Sequence, residues 1–270
     1  MQKECIKMSY DGIELHGRID APTHPKAAVV IVHGLCEHYG RYDYLTARLN
    51  AQNYTVYRFD HRGHGRSGGT SAYYDDRTQI VKDTNIFVEL ALADCPDIPV
   101  YMFGHSMGGY GAASYGTTYP TKLAGYVLSG AWTRDNRGLA QVDSSLPATA
   151  TIPNALAEGV CSDTEVGKRY MADPLVRKTM TVGLLRACSD GQSWLKQNAS
   201  AFTDPVLLMH GGADGLVDPL DSMQMYQEIS SEDKSLRIYA GMCHEIFNEY
   251  KKDRVIHDAI EWLNDHVAQA

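Results

Sequence analysis

Apolar residues fall along this chain in two rhythms. Short, largely apolar runs at Ala27–Val32, Tyr54–Phe59, Val100–Phe103, Leu123–Ser129 and Val206–Met209 are too short for core helices. Rich in Val, Ile and aromatics, they read as strands buried on both faces. Between them the spacing lengthens to that of a helix: Arg41–Ala51 with Tyr44, Leu45 and Leu49, then about Thr78–Ala93, and then the Ala-rich run after Ser106. Helices are also predicted over Leu220–Ile229 and Val255–Val267, and a strand over Ser235–Tyr239. Ahead of these, 5–10 and 13–19 read as a hairpin. Ile6, Met8 and Tyr10 alternate with polar neighbours, and Asp11-Gly12 suits a two-residue turn. Strands alternating with helical crossovers of this length imply a mostly parallel sheet flanked by helices, an α/β fold.

The rhythm fails near Arg134. Residues 135–200 are Ala-rich and punctuated by Pro as far as Val160, then helical in spacing around Val166–Tyr170 and Val176–Cys188. A structureless loop of that length is improbable inside a compact domain, so a mainly helical insertion is expected. The predicted organisation is therefore a core of 1–134 and 201–270 with a cap over 135–200.

Composition narrows the function classes. The 270 residues hold 33 acidic against 25 Lys and Arg side chains, a formal charge of -8 that argues against nucleic acid as partner. No run has the length of a membrane span. The start, Met1-Gln2-Lys3-Glu4-Cys5, has no apolar leader, so a cytoplasmic enzyme is expected. Six scattered cysteines with no Cys-x-x-Cys pair fit reduced usage. Nothing in the sequence signals an oligomeric state.

The chemistry gathers around Ser106. Gly104 and Gly108 bracket it in the Gly-x-Ser-x-Gly spacing of a nucleophile elbow, between an apolar strand and a helix. Such a turn forces the serine into a strained conformation, and the glycines remove side chains that would clash with it. A serine needs a base, and the base an orienting acid. Asp214 and His244 each lie just beyond a later strand, at the edge where parallel strands present ligands. Asp218 is the rival acid, but Asp followed by Pro219 suits a helix cap. For the oxyanion, the Met107 N–H directly follows the nucleophile. The second donor is expected from the His33-Gly34-Leu35 turn, through Leu35 N–H. His33, Gly34, Gly104, His105 and Gly108 support this arrangement.

These pieces resemble the monoacylglycerol lipase and lysophospholipase branch of the α/β-hydrolases, grouped with serine aminopeptidase-like hydrolases. The resemblance rests on His33-Gly34-Leu35-Cys36-Glu37-His38-Tyr39-Gly40-Arg41-Tyr42, Asp60-His61-Arg62-Gly63-His64-Gly65-Arg66-Ser67, Gly104-His105-Ser106-Met107-Gly108-Gly109, Ala213-Asp214 and Gly241-x-x-His244. It spans the chain outside the insertion. It implies Ser106 as nucleophile, Asp214 as acid, His244 as base, Leu35 and Met107 as oxyanion donors, and 135–200 as a cap over the acyl site. By resemblance the substrate is a small acyl ester, a monoacylglycerol first. Lysophospholipids, aryl and hydroxycinnamoyl esters, amides or peptides, and a non-enzymatic binding module are the alternatives.

No cofactor or metal is expected. His61 and His64 have a metal-like spacing without a carboxylate or cysteine set, and read as part of a turn held by Asp60. In the cap, Ile152, Leu156 and Leu184 are the candidate pocket residues. Arg177, Lys178 and Arg186 would face anionic headgroups during transient contact with a lipid surface.

Overall fold

A computed structural model describes residues 1–268. Strands β1 (Gln2–Met8) and β2 (Glu14–Asp20) form a hairpin, followed by β3 (Ala27–Val32), α1 (Asp43–Asn50), β4 (Tyr54–Phe59) and α2 (Gln79–Asp94). Next come β5 (Val100–His105), α3 (Met107–Thr118) and β6 (Gly125–Ser129). The chain then builds β7 (Thr151–Pro153), α4 (Thr164–Ala172), β8 (Thr179–Thr181) and α5 (Val182–Gln197). It returns through β9 (Val206–Gly211), α6 (Pro219–Glu228), β10 (Lys234–Tyr239) and α7 (Lys252–Val267). Eight strands make one sheet in the order β1-β2-β4-β3-β5-β6-β9-β10. It is parallel from β4 to β10, with β1 and β2 antiparallel at one edge.

The unbroken apolar runs follow from burial on both faces. Ala28, Val30 and Val32 of β3 enter one core with residues of α2, α3 and α5, while Ala27, Val29 and Ile31 enter a second closed by α1 and α7. Successive strand side chains point to opposite faces, so a strand covered on both sides has no polar face. Among the described residues no helix is long and apolar enough to cross a membrane.

The structure departs from the sequence reading in three places. The hairpin pairs Met8 with Glu14, leaving Ser9–Ile13 as a longer connection than Asp11-Gly12 alone. Ser9 N–H donates to Ile13 O at 2.8 Å and the chain reverses through Gly12 at φ +84°. Because β1 is the outermost strand, Ile6 and Met8 stay exposed, and Tyr10 is exposed in the connection. Second, Val176–Thr181 is not helical: after Pro174 the chain extends into β8, and α5 begins at Val182, where the Thr181 hydroxyl accepts Leu184 N–H at 3.1 Å. Third, the stretch through Leu146, Ile152 and Leu156 forms no α-helix. Its extended part pairs as β7 with β8, and Pro147 and Pro153 deny it a helical hydrogen-bond ladder. The segment 135–200 is thus a mixture of helices and a two-stranded ribbon.

Candidate active site

Ser106 sits between β5 and α3 with φ +55° and ψ −119°, a conformation that L residues rarely adopt. Its surroundings over-determine it. Ser106 N–H donates to Ser129 O at 3.0 Å, and its carbonyl accepts Tyr110 N–H at 3.0 Å and Trp132 N–H at 3.1 Å. Strain of this kind persists only under such restraint. The flanking glycines are sterically required. A Cβ at Gly108 would lie 2.1 Å from Val32 O, and one at Gly104 2.5 Å from Gly108 O. Met107 opens α3, so its N–H has no acceptor within the helix.

The loop expected to supply the second donor is pinned peptide by peptide. His61 N–H donates to His33 Nε2 at 3.0 Å, which leaves the ring hydrogen on Nδ1, 2.8 Å from Gly34 O. His61 Nε2 lies 3.0 Å from His33 O, and Gly34 N–H donates to Glu37 Oε1 at 2.6 Å. In a trans peptide C=O and N–H point oppositely. Holding Gly34 O against the His33 ring therefore turns Leu35 N–H the other way. Among the described residues that N–H has no partner. Gly34 also lets the loop approach: a Cβ there would be 3.2 Å from Ser106 Cβ.

Behind this loop lies a buried ionic chain. Arg41 contacts Glu37 Oε2 at 2.5 Å and forks onto Glu245 at 2.6 and 2.8 Å. Tyr42 OH donates to Glu37 Oε1 at 2.6 Å. Burial alone would raise the Glu37 carboxyl, but Arg41 and these hydrogen bonds hold it below its ordinary value. Arg41 thus joins the Gly34–Leu35 loop to the residue next to His244.

At the ends of β9 and β10, Asp214 and His244 meet. His244 Nδ1 lies 2.7 Å from Asp214 Oδ2, leaving Nε2 as the other face of the ring. Burial pushes the His244 imidazole down, yet the Asp214 carboxylate outweighs it and holds the ring above its ordinary 6.5. Burial would raise Asp214; the His244 and His210 rings hold it far below the usual carboxylate range. Its Oδ1 accepts Leu216 N–H at 2.8 Å and Val217 N–H at 3.0 Å. Asp218 instead caps α6, accepting Leu220 N–H at 3.1 Å ahead of Pro219. His105 packs beside His244, ring centroids 4.7 Å apart, and burial then His244 push it down to about 4.

Ser106, His244, Gly34 and Leu35 line one cavity of about 20 Å³, together with Leu156, Val160 and Tyr170 from the 135–200 segment and with Leu216. Of the other cap candidates, Ile152 lies half-buried on β7 and Leu184 fully buried in α5; neither lines this cavity. Arg177, Lys178 and Arg186 are engaged with backbone carbonyls: Arg177 with Gly63 and Gly65, Lys178 with Met171 and Asp173, Arg186 with Asp143, Ser144 and Leu146. Among the described residues no group of three or more His, Cys, Asp or Glu side chains is arranged to hold a metal. His64 Nδ1 is 2.9 Å from Arg62 O, and Asp60 accepts Tyr39 and Arg66 N–H at 2.8 Å each.

The cavity-lining residues Val160, Tyr170 and Leu216 escaped the sequence reading, and so did two polar partners. His210 contacts Asp214 from four residues upstream, and Glu245 pairs with Arg41 across 204 positions. For the first, a histidine ending a buried strand was the available signal.

The family model described as "Serine aminopeptidase, S33" matches residues 23–251. A monoacylglycerol lipase of Mycolicibacterium smegmatis is 37% identical over 254 residues, covering 91% of this chain and 90% of that one. Among solved structures, the monoacylglycerol lipase of Paleococcus ferrophilus superposes with TM-score 0.81 at 29% identity, covering 92% of this chain and 98% of its own. A soluble variant of the Saccharomyces cerevisiae monoglyceride lipase, solved with a substrate analog, gives TM-score 0.89 at 24% identity. It covers 98% of this chain and 95% of its own, and that likeness speaks to the fold.

Proposed function

Since this chain belongs to the serine aminopeptidase S33 family of hydrolases, we propose that it cleaves monoacylglycerols through an acyl-enzyme on Ser106. It is a serine hydrolase of carboxylic esters with the α/β-hydrolase fold. The observation that carries the assignment of roles is the 2.7 Å contact from His244 Nδ1 to Asp214 Oδ2. It commits one ring nitrogen to the acid and leaves Nε2 for the serine in the same cavity.

The reaction runs as follows. His244 Nε2 takes the Ser106 proton while Oγ attacks the ester carbonyl. The N–H groups of Leu35 and Met107 receive the oxyanion. Protonated His244 then gives its proton to the departing alcohol. A water, deprotonated by the same nitrogen, attacks the acyl-serine, and the acid leaves as Ser106 recovers its proton. The cavity is narrow, about 20 Å³, and Leu156 and Val160 of the cap, 135–200, are the side chains whose movement would widen it for an acyl chain. Apolar side chains exposed on that segment, Leu146 and Met171, suit transient contact with a lipid surface by a cytoplasmic enzyme.

A lysophospholipid is the second reading. A cleft of about 220 Å³ shares the Tyr170 wall and is lined by Arg41 and Arg169. Arg169 is exposed and without an ion pair among the described residues, so it suits a phosphate-bearing alcohol.

Covalent labelling by a fluorophosphonate, together with turnover of monoacylglycerols, lysophospholipids, p-nitrophenyl and hydroxycinnamoyl esters and an aminoacyl anilide, tests these readings. Labelling and turnover should vanish in Ser106→Ala. Folded wild-type protein that resists labelling would overturn the mechanism, whereas good turnover of another ester class alone would overturn only the substrate.

A further inference from the structure

We infer that His210 is a positioning residue for the acid–base pair, holding the same Asp214 carboxylate oxygen that His244 uses. The inference rests on the reading of Asp214 and His244 as acid and base. His210 ends β9 and is fully buried. Its Nε2 lies 3.0 Å from Asp214 Oδ2 and 3.2 Å from Val217 O, while Nδ1 lies 2.7 Å from the buried Ser222 hydroxyl on α6. Nε2 faces a carboxylate and a carbonyl, which only accept, so it carries a hydrogen whatever the state of Nδ1.

The Asp214 carboxylate is therefore saturated. Oδ2 receives His244 Nδ1–H and His210 Nε2–H; Oδ1 receives the N–H groups of Leu216 and Val217. A carboxylate offers about four acceptor positions, and all are filled. Two consequences follow from sharing Oδ2. The carboxylate cannot turn away from His244 without breaking the His210 bond. Its electron density is also divided between two rings, so less of it stabilises protonated His244. Removing the His210 donor should raise the His244 pKa and loosen the geometry together. The other groups facing His244 are His105 from β5, Glu245, and Glu37 from the Gly34 loop. Arg137 donates to the Asp214 backbone carbonyl at 2.8 Å, outside the carboxylate. His210 is the group among these that bonds the shared oxygen.

The test compares His210→Leu with His210→Gln in the full chain, reading the pH profile of kcat/KM on a p-nitrophenyl ester alongside melting temperature. The leucine variant should move the acid limb upward by about 0.5–1 pH unit and lower kcat roughly tenfold with KM little changed. The glutamine variant, whose side-chain N–H reaches the same oxygen, should keep the wild-type limb. An unmoved limb in folded His210→Leu, or an equal shift in both variants, overturns the inference. Should the leucine variant fail to fold, comparison of the wild type with Asp214→Asn still decides. Proton spectra of ¹⁵N-histidine-labelled enzyme should show two hydrogen-bonded imidazole N–H signals that both move in Asp214→Asn, and a single such signal would refute the sharing. If Asp214→Asn keeps full turnover, the acid–base reading itself falls. If that variant is inactive while His210→Leu keeps the wild-type limb, His210 alone loses its role.

Discussion

Removing a side chain from the strained serine should stabilise this protein. The comparison is Ser106→Gly against Ser106→Ala, since both lack the hydroxyl and differ only in Cβ. At φ +55° and ψ −119° the alanine keeps the conflict between Cβ and backbone, whereas glycine relieves it. Backbone strain of this kind costs about 1–3 kcal/mol. Glycine returns about 0.4–1 kcal/mol of that through its larger unfolded-state entropy. The difference leaves Ser106→Gly more stable by about 1 kcal/mol, or roughly 2–4 °C in Tm for a chain near this size. Urea unfolding followed by fluorescence, with thermal scans on the same preparations, measures it directly. Both variants are expected to be inactive, so the readout is stability alone. Equal stability, or a more stable alanine variant, would show that the Ser106 backbone is not strained.

Other outcomes follow from the same geometry. Asp214→Asn should lower kcat by at least about 100-fold, because the amide cannot hold His244 in its working tautomer; Asp218→Ala should leave kcat intact and cost about 1 kcal/mol of stability through the lost cap. Since Asp214 holds His244 above 6.5, and the base must be neutral, kcat/KM should rise with pH along a limb centred above pH 6.5; a limb centred below that value would contradict the ion pair. Arg41→Met should destabilise by about 3–5 kcal/mol, since it leaves Glu37 and Glu245 charged, buried and unpaired; urea unfolding of the variant beside wild type measures the loss. Asp204, buried with Oδ2 unpartnered among the described residues, has its carboxyl pushed up to about 6 by burial. Folded protein therefore binds the extra proton between about pH 4 and 6 and loses stability as pH rises through that window. Asp204→Asn should gain on the order of 1 kcal/mol above pH 6, after allowing for solvent screening, and nothing below pH 4, as melting curves across pH would register.

Local pattern alone specified a good deal of this protein. The apolar runs located the core strands, because a strand covered on both faces has no polar side to show. Gly104 and Gly108 marked the elbow, because that turn excludes Cβ atoms whatever surrounds it. Asp218-Pro219 announced a helix cap in two residues. Other features have no local signature. The extended stretch before α5 is paired with β7, and that pairing overrides helical spacing. Arg41 reaches Glu245 only because the ends of β3 and β10 lie on one edge of the same sheet. His210 shares an oxygen with His244 through strand register and the turn after β9. Sequence spacing encodes backbone conformation and burial within a few residues; which distant polar groups meet, and how much room they leave between them, is decided by strand order and packing. That is why Ser106, Asp214 and His244 could each be singled out as candidates from local pattern, while the hydrogen bonds around Asp214 and His244, and the narrowness of the cavity that His244 shares with Ser106, belong to the tertiary structure.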